Sequence, residues 1–134
     1  MNTVELLMAA DVEKLTARPE KQLEITSLSE KLGEPFIVTI KALGSKKFTE
    51  LSGLALKSDN TADMSKMADV QALMCIEAMV EPNLKDKELQ EHFGVKTPKD
   101  LAFKLFGGGD LASIANHITE LSGFGNDTVK EIKN

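Results

Sequence analysis

The chain has 134 residues, enough for one domain with a real core, and its 42% apolar and 28% charged residues match a globular protein rather than a disordered one. A net charge of −5 disfavours a phosphate backbone as partner, and of sixteen basic residues only Arg18 is arginine, so the forked guanidinium that grips phosphate or guanine is nearly absent. With no Trp and no Tyr, stacking on single-stranded nucleic acid would fall to phenylalanine alone.

The expected fold is mainly α, an α+β domain over 1–134. It has an N-terminal helix (1–18), a β-hairpin (21–43), a helical part (46–124) built on a central buried helix, and a flexible tail (125–134). Thr3 can cap the first helix, which carries Val4, Leu7, Met8, Val12 and Leu15 at helical spacing until Arg18-Pro19 ends it. An acid at position 5 and no basic lead argue against a secretory signal, and no apolar run is long enough to span a membrane.

The period then changes. Leu23 and Ile25 alternate with Gln22, Glu24 and Thr26, and FIVTIKAL (36–43) is rich in β-branched residues, with Phe36, Val38 and Ile40 on one face. The turn-like SEKLGEP between them predicts a hairpin with a long loop. A hairpin alone is barely stable, so it must lie against the helices or pair with another chain. Gly44-Ser45 opens a short amphipathic piece through Phe48, Leu51 and Leu54, followed by a polar loop over 57–61.

Residues 67–82, MADVQALMCIEAMVEP, hold the densest apolar run and predict the central helix, stopped at Pro82. Met64, Met67, Met74 and Met79 lie on or beside it, and Met serves either a core or an adaptable groove. Short capped helices follow. Asp86 starts one that Gly94 stops, and Thr97-Pro98 starts another. Asp110 caps the last, after Gly107-Gly108-Gly109, and Gly123 ends it in the left-handed position with Phe124 folded back on Ile118.

No convergent set of reactive groups supports catalysis, a metal or a cofactor. His92 and His117 stand apart on polar faces. Cys75 has no basic neighbour and sits in apolar surroundings, which describes a core thiol of a reducing compartment and not a nucleophile. The glycine run lacks the Lys-Ser/Thr of a phosphate loop, and Asp59, Asn60 and Asp63 lack EF-hand spacing. Glu77 is either a buried acid or a rim residue paired with a lysine. A helix-turn-helix at 86–93 and 98–106 would offer DNA only Lys99.

Residues 80–124 resemble the C-terminal half of the XkdN-like phage tail assembly chaperones of contractile-tailed phages and prophages of Gram-positive bacteria. The resemblance rests on the proline after the long helix, Leu84-Lys85-Asp86 leading into Glu88-Leu89-Gln90, Gly94-Val95, the start at Pro98 to Leu101, Leu105, Gly109-Asp110 and the ending Leu121-Ser122-Gly123-Phe124. The N-terminal half is similar too, with Gly33-Glu34-Pro35-Phe36 in the turn of a two-stranded segment. The family's usual Gly-Glu step is Gly-Gly-Gly-Asp here, a change that keeps a capping acid.

The resemblance implies a non-enzymatic assembly factor. It would coat the helical tape measure protein in the host cytoplasm until tail tube protein polymerises, and be absent from the finished virion. It would need no cofactor, nucleic acid or membrane. The competing classes are a connector retained in the virion and a small DNA-binding regulator. The candidate partner surface is the apolar stripe Leu105, Phe106, Leu111, Ile114, Ile118, Leu121 and Phe124, which alternatively closes the core. The hairpin edge is a second candidate, for strand addition or self-association into a homo-oligomer.

Overall fold

The computed structural model describes residues 1–125 and 129–133. Among the described residues there are eight α-helices and a three-stranded antiparallel sheet of order β1-β2-β3. The order along the chain is α1 (Thr3–Ala9), α2 (Val12–Thr16), β1 (Glu20–Glu24), α3 (Thr26–Leu32), β2 (Ile37–Lys41), α4 (Ser45–Gly53), α5 (Met67–Ala78), β3 (Met79–Glu81), α6 (Lys87–His92), α7 (Pro98–Leu105) and α8 (Asp110–Leu121).

The predicted N-terminal helix is two. Asn2, not Thr3, caps α1 by accepting from the Glu5 amide, and the chain turns extended at Ala10. Asp11 then caps α2, because its carboxylate satisfies the free amides of Glu13 and Lys14 better than helix continuation would. The two predicted strands do pair, with Leu23 opposite Val38 and Lys21 opposite Ile40. Their connection is not a loop, and the first strand ends at Glu24 rather than running on to residue 28. Residues 26–32 form α3, stopped by Gly33 at φ 76°, and the Ser29 hydroxyl accepts from the Phe36 amide to start β2.

The central helix is where expected but shorter. Its last turn is given up to β3, which pairs with β2 through Ile40 opposite Met79 and Thr39 opposite Glu81. Two local preferences favour this: Val80 is β-branched, and a residue before proline is pushed to extended geometry, as Glu81 is before Pro82. The helical part thus contains a strand, and β2 lies in the middle of the sheet.

α5 packs against α4, α7, α8 and β2. Val70, Ala72, Met74, Cys75, Ile76 and Ala78 bury it on nearly every side. Val38 and Ile40 are wholly buried under it and α8, each contributing roughly 1.5–3 kcal/mol of burial. The other face of the sheet is uncovered and leaves Ile37 and Val80 exposed.

The later helices start largely as their caps predict. Asp86 accepts from the Glu88 and Leu89 amides, and Thr97 from the Asp100 amide at 3.0 Å. Thr97→Ala is expected to cost about 1 kcal/mol in urea unfolding, with no change in the dependence on denaturant. Asp110 does not cap α8. It is the first helical residue, and its carboxylate instead takes a hydrogen bond from the Ser27 hydroxyl of α3. Gly123, at φ 89°, and the Phe124 amide bonded to the Thr119 carbonyl close α8 in a Schellman motif. Phe124 then stacks on Phe48 of α4, with ring centroids 3.9 Å apart. The expected tail over 125–134 falls partly on residues 126–128 and 134, outside the described residues, and 129–133 carry no helix or strand.

Candidate partner-binding surface

Three helices separated in sequence leave a trough between them. α4 and the residues just after it contribute Phe48, Ser52 and Ala55, α5 contributes Met67, Val70, Gln71 and Met74, and α8 contributes Ala115, Asn116 and Thr119, around a concavity of about 210 Å³. A second concavity of about 270 Å³ continues it over Val70 to Leu54, Leu73 and Lys99. Each is smaller than the roughly 300–1,000 Å³ of a small-molecule site. Knobs of a docked helix suit such shallow, linked hollows better than a cofactor does. Leu54, which lines the second hollow, is 52% exposed.

Amphipathic segments build the walls from their unexpected sides. On α8, Leu111, Ile114 and Ile118 turn to the core, which leaves small and polar Ala115, Asn116 and Thr119 for the trough. The Thr119 hydroxyl bonds back to the Ala115 carbonyl at 2.9 Å, so its methyl group can serve the wall. The rim carries Lys66, Asp69 and Lys99, the last two 3.6 Å apart and exposed. Such a pair contributes little to stability and stays free to rearrange around a partner. It also engages Lys99, the one cation at the start of the helix that a helix-turn-helix would have used for recognition.

The polar candidates elsewhere are spoken for locally. Glu77 pairs with Lys85 at 3.6 Å, on the helix rim. His117 Nδ1 lies 3.2 Å from Lys21 Nζ, and the His92 ring meets Phe93 edge-on. Asp59 and Asp63 fold back on Thr61 and Ser65, whose hydroxyl and amide donors hold both acids below the usual carboxylate range. Burial pushes the Cys75 thiol up to about 12. Among the described residues, no three His, Cys, Asp or Glu side chains converge, and no helix is long and apolar enough to cross a membrane.

A sequence profile described as phage XkdN-like tail assembly chaperone protein matches residues 4–133. The chain belongs to this tail assembly chaperone family. Among solved structures, a crystal structure of the protein YqbN shares the chaperone's fold, with a TM-score of 0.56 at 24% identity over 78% of this chain and 87% of that one. A search of curated proteins finds no match.

The chaperone's structure divides the stripe singled out in the sequence. Phe106, Leu111, Ile114 and Ile118 are buried in the main core, while Leu105, Leu121 and Phe124 are only partly buried. Phe124 reaches the trough through its stack on Phe48, and the other six sit elsewhere. The walls on α4 and α8 were not legible as a site. Their only signal is a polar or small residue on the side of an amphipathic helix that would ordinarily meet water. Of the methionines noted in the sequence, Met67 and Met74 do line the trough, Met64 is exposed, and Met79 is in the sheet.

Proposed function

We propose that this tail assembly chaperone holds an amphipathic helix of the tape measure protein in the α4–α5–α8 trough, keeping that long helical protein from aggregating until tail tube protein polymerises around it. The trough carries the reading. It is mostly apolar, with Met67 and Met74 in its lining, so it can accept many related helical segments with modest affinity and release them. Exposed amphipathic helices are an aggregation hazard that such a cover removes. In this reading the chaperone acts without catalysis in the host cytoplasm, meets tube protein only as its competitor, and leaves before the virion is complete. Partly exposed Leu105, Leu121 and Phe124 extend the contact beyond the trough.

Co-expression with the tape measure protein tests this directly. The soluble yield of tape measure protein should rise with the wild-type chain, and the two should co-purify. Leu54→Asp should weaken the complex about ten-fold or more while leaving the unfolding midpoint nearly unchanged, since the side chain is half exposed at the trough wall. Unchanged binding by that variant would remove the trough from the proposal. Recovery of the chain in purified particles would move it to the structural components of the tail.

A further inference from the structure

The first two helices sit outside the core. Ala10 is the single residue among positions 1–20 that is not exposed, and neither α1 nor α2 has a buried residue. Yet Met1, Val4, Leu6, Leu7, Met8, Val12 and Leu15 are all large and apolar, and 58–81% exposed. The core closes without them, because no residue before Leu23 belongs to it or packs on it. Helices of seven and five residues are far too short to persist alone, even well capped, so this arm needs a surface to lie on.

The arm's own pattern says which surface. Read from the Ala9–Ala10 step outwards, it is nearly self-complementary when two copies run antiparallel. Leu7 then meets Val12, Val4 meets Leu15, and Glu5 meets Lys14, each twice over by the two-fold symmetry, while Met8 falls beside Asp11 and Leu6 beside Glu13 at the margins. Val4, Leu7 and Met8 share a face of α1, and Val12 and Leu15 share a face of α2. The small alanines fall at the crossing, where two backbones must approach. The exposed surface of the five apolar residues on those faces comes to roughly 650 Å², approaching the about 800 Å² on each side of a standard protein interface. The arm's root is also fixed. Pro19 accepts from the Ala42 amide at 2.9 Å, and the Arg18 guanidinium lies over Gly44, where a Cβ would come within 3.3 Å of it.

We infer that two copies of this chain pair through residues 1–17, α1 of each lying antiparallel on α2 of the other, with Glu5–Lys14 pairs at both ends. The dimer does not depend on trough occupancy, so its failure and that of the proposed function are separately visible.

Sedimentation of the full chain across a concentration series is the test. The expected species has twice the 14.6 kDa mass of one chain. Leu7→Asp with Val12→Asp should give a monomer with an unchanged unfolding midpoint. Glu5→Lys should weaken the dimer about ten-fold, and adding Lys14→Glu to it should restore the wild-type constant, which a merely unfolded arm would not do. A chain that stays monomeric at about 100 μM, well above the micromolar range of specific pairs, overturns the inference. So does a dimer indifferent to all these changes. Arms that remain free in the pure protein but become protease-resistant on adding tape measure protein would also overturn it, by assigning the arm to that partner.

Discussion

Ile118→Asp is expected to leave no cooperatively folded protein at 25 °C. The side chain is 0% exposed, at the start of the last turn of α8, a helix that packs on α5 and β2. A carboxylate there has no cation to meet and must either be desolvated or force the helix off the core, at a cost above the 4–5 kcal/mol that marks the exceptional end of single substitutions (roughly a third or more of a small domain's stability). Ile118→Ala isolates the packing share and should cost about 2–5 kcal/mol in urea unfolding. Circular dichroism with a denaturant titration reads both. A folded Ile118→Asp chain with a sharp transition would mean that α8 is not seated as described. Substitution at Leu111 or Ile118 therefore reports on folding, whereas Leu105, Leu121 and Phe124 can report on binding.

Alkali should destabilise the protein through one thiol. Cys75 is wholly buried in α5, and desolvation pushes its pKa from 9.0 up to about 12. Below pH 9 both folded and unfolded chains carry the neutral thiol, and its contribution is complete. Above pH 9 the unfolded chain loses the proton and the folded chain does not, so stability falls by about 1.4 kcal/mol per pH unit until the folded thiol also ionises near 12. Urea midpoints measured from pH 8 to 11 should show that slope in the wild type. Cys75→Ala should lack it, since that substitution removes the thiol. In the same protein at pH 8, a thiol reagent should label Cys75 only after unfolding. Equal slopes for wild type and Cys75→Ala would place the thiol in contact with water.

Local signals carried much of the fold. Thr97-Pro98, Asp86 and the left-handed glycines 94 and 123 act within one turn of chain, and each does in the structure what it does in the sequence. The pairing of β1 with β2 was readable from alternation, because Leu23, Val38 and Ile40 must face one way. α3 was missed because TSLSEKL carries two serines and runs into a glycine, and the side chain that steadies its end, Ser29, does so only when Phe36 returns. β3 was missed because Met79 and Val80 end a run that reads as helix, and only a strand 40 residues away gives them another state. Asp110 had equal claims to cap a helix or to hold Ser27, and tertiary contact chose. The trough was invisible for the same reason, since no one of its three walls looks like a site.

β2 is the middle strand, yet its two neighbours join it at very different times. β1 is already there when β2 is made, whereas β3 follows only after α4 and the whole of α5. A chain emerging from the ribosome therefore has one open edge on its central strand until residue 81 appears. Long-range closures of this kind slow folding, and a bare edge invites pairing with a neighbouring nascent chain. The helix that supplies the third strand supplies its cover in the same stroke, because α5 passes into β3 without a loop and lands on β2 as it docks. Exposure of that edge therefore ends in one step, with the third strand and the helical cover arriving together.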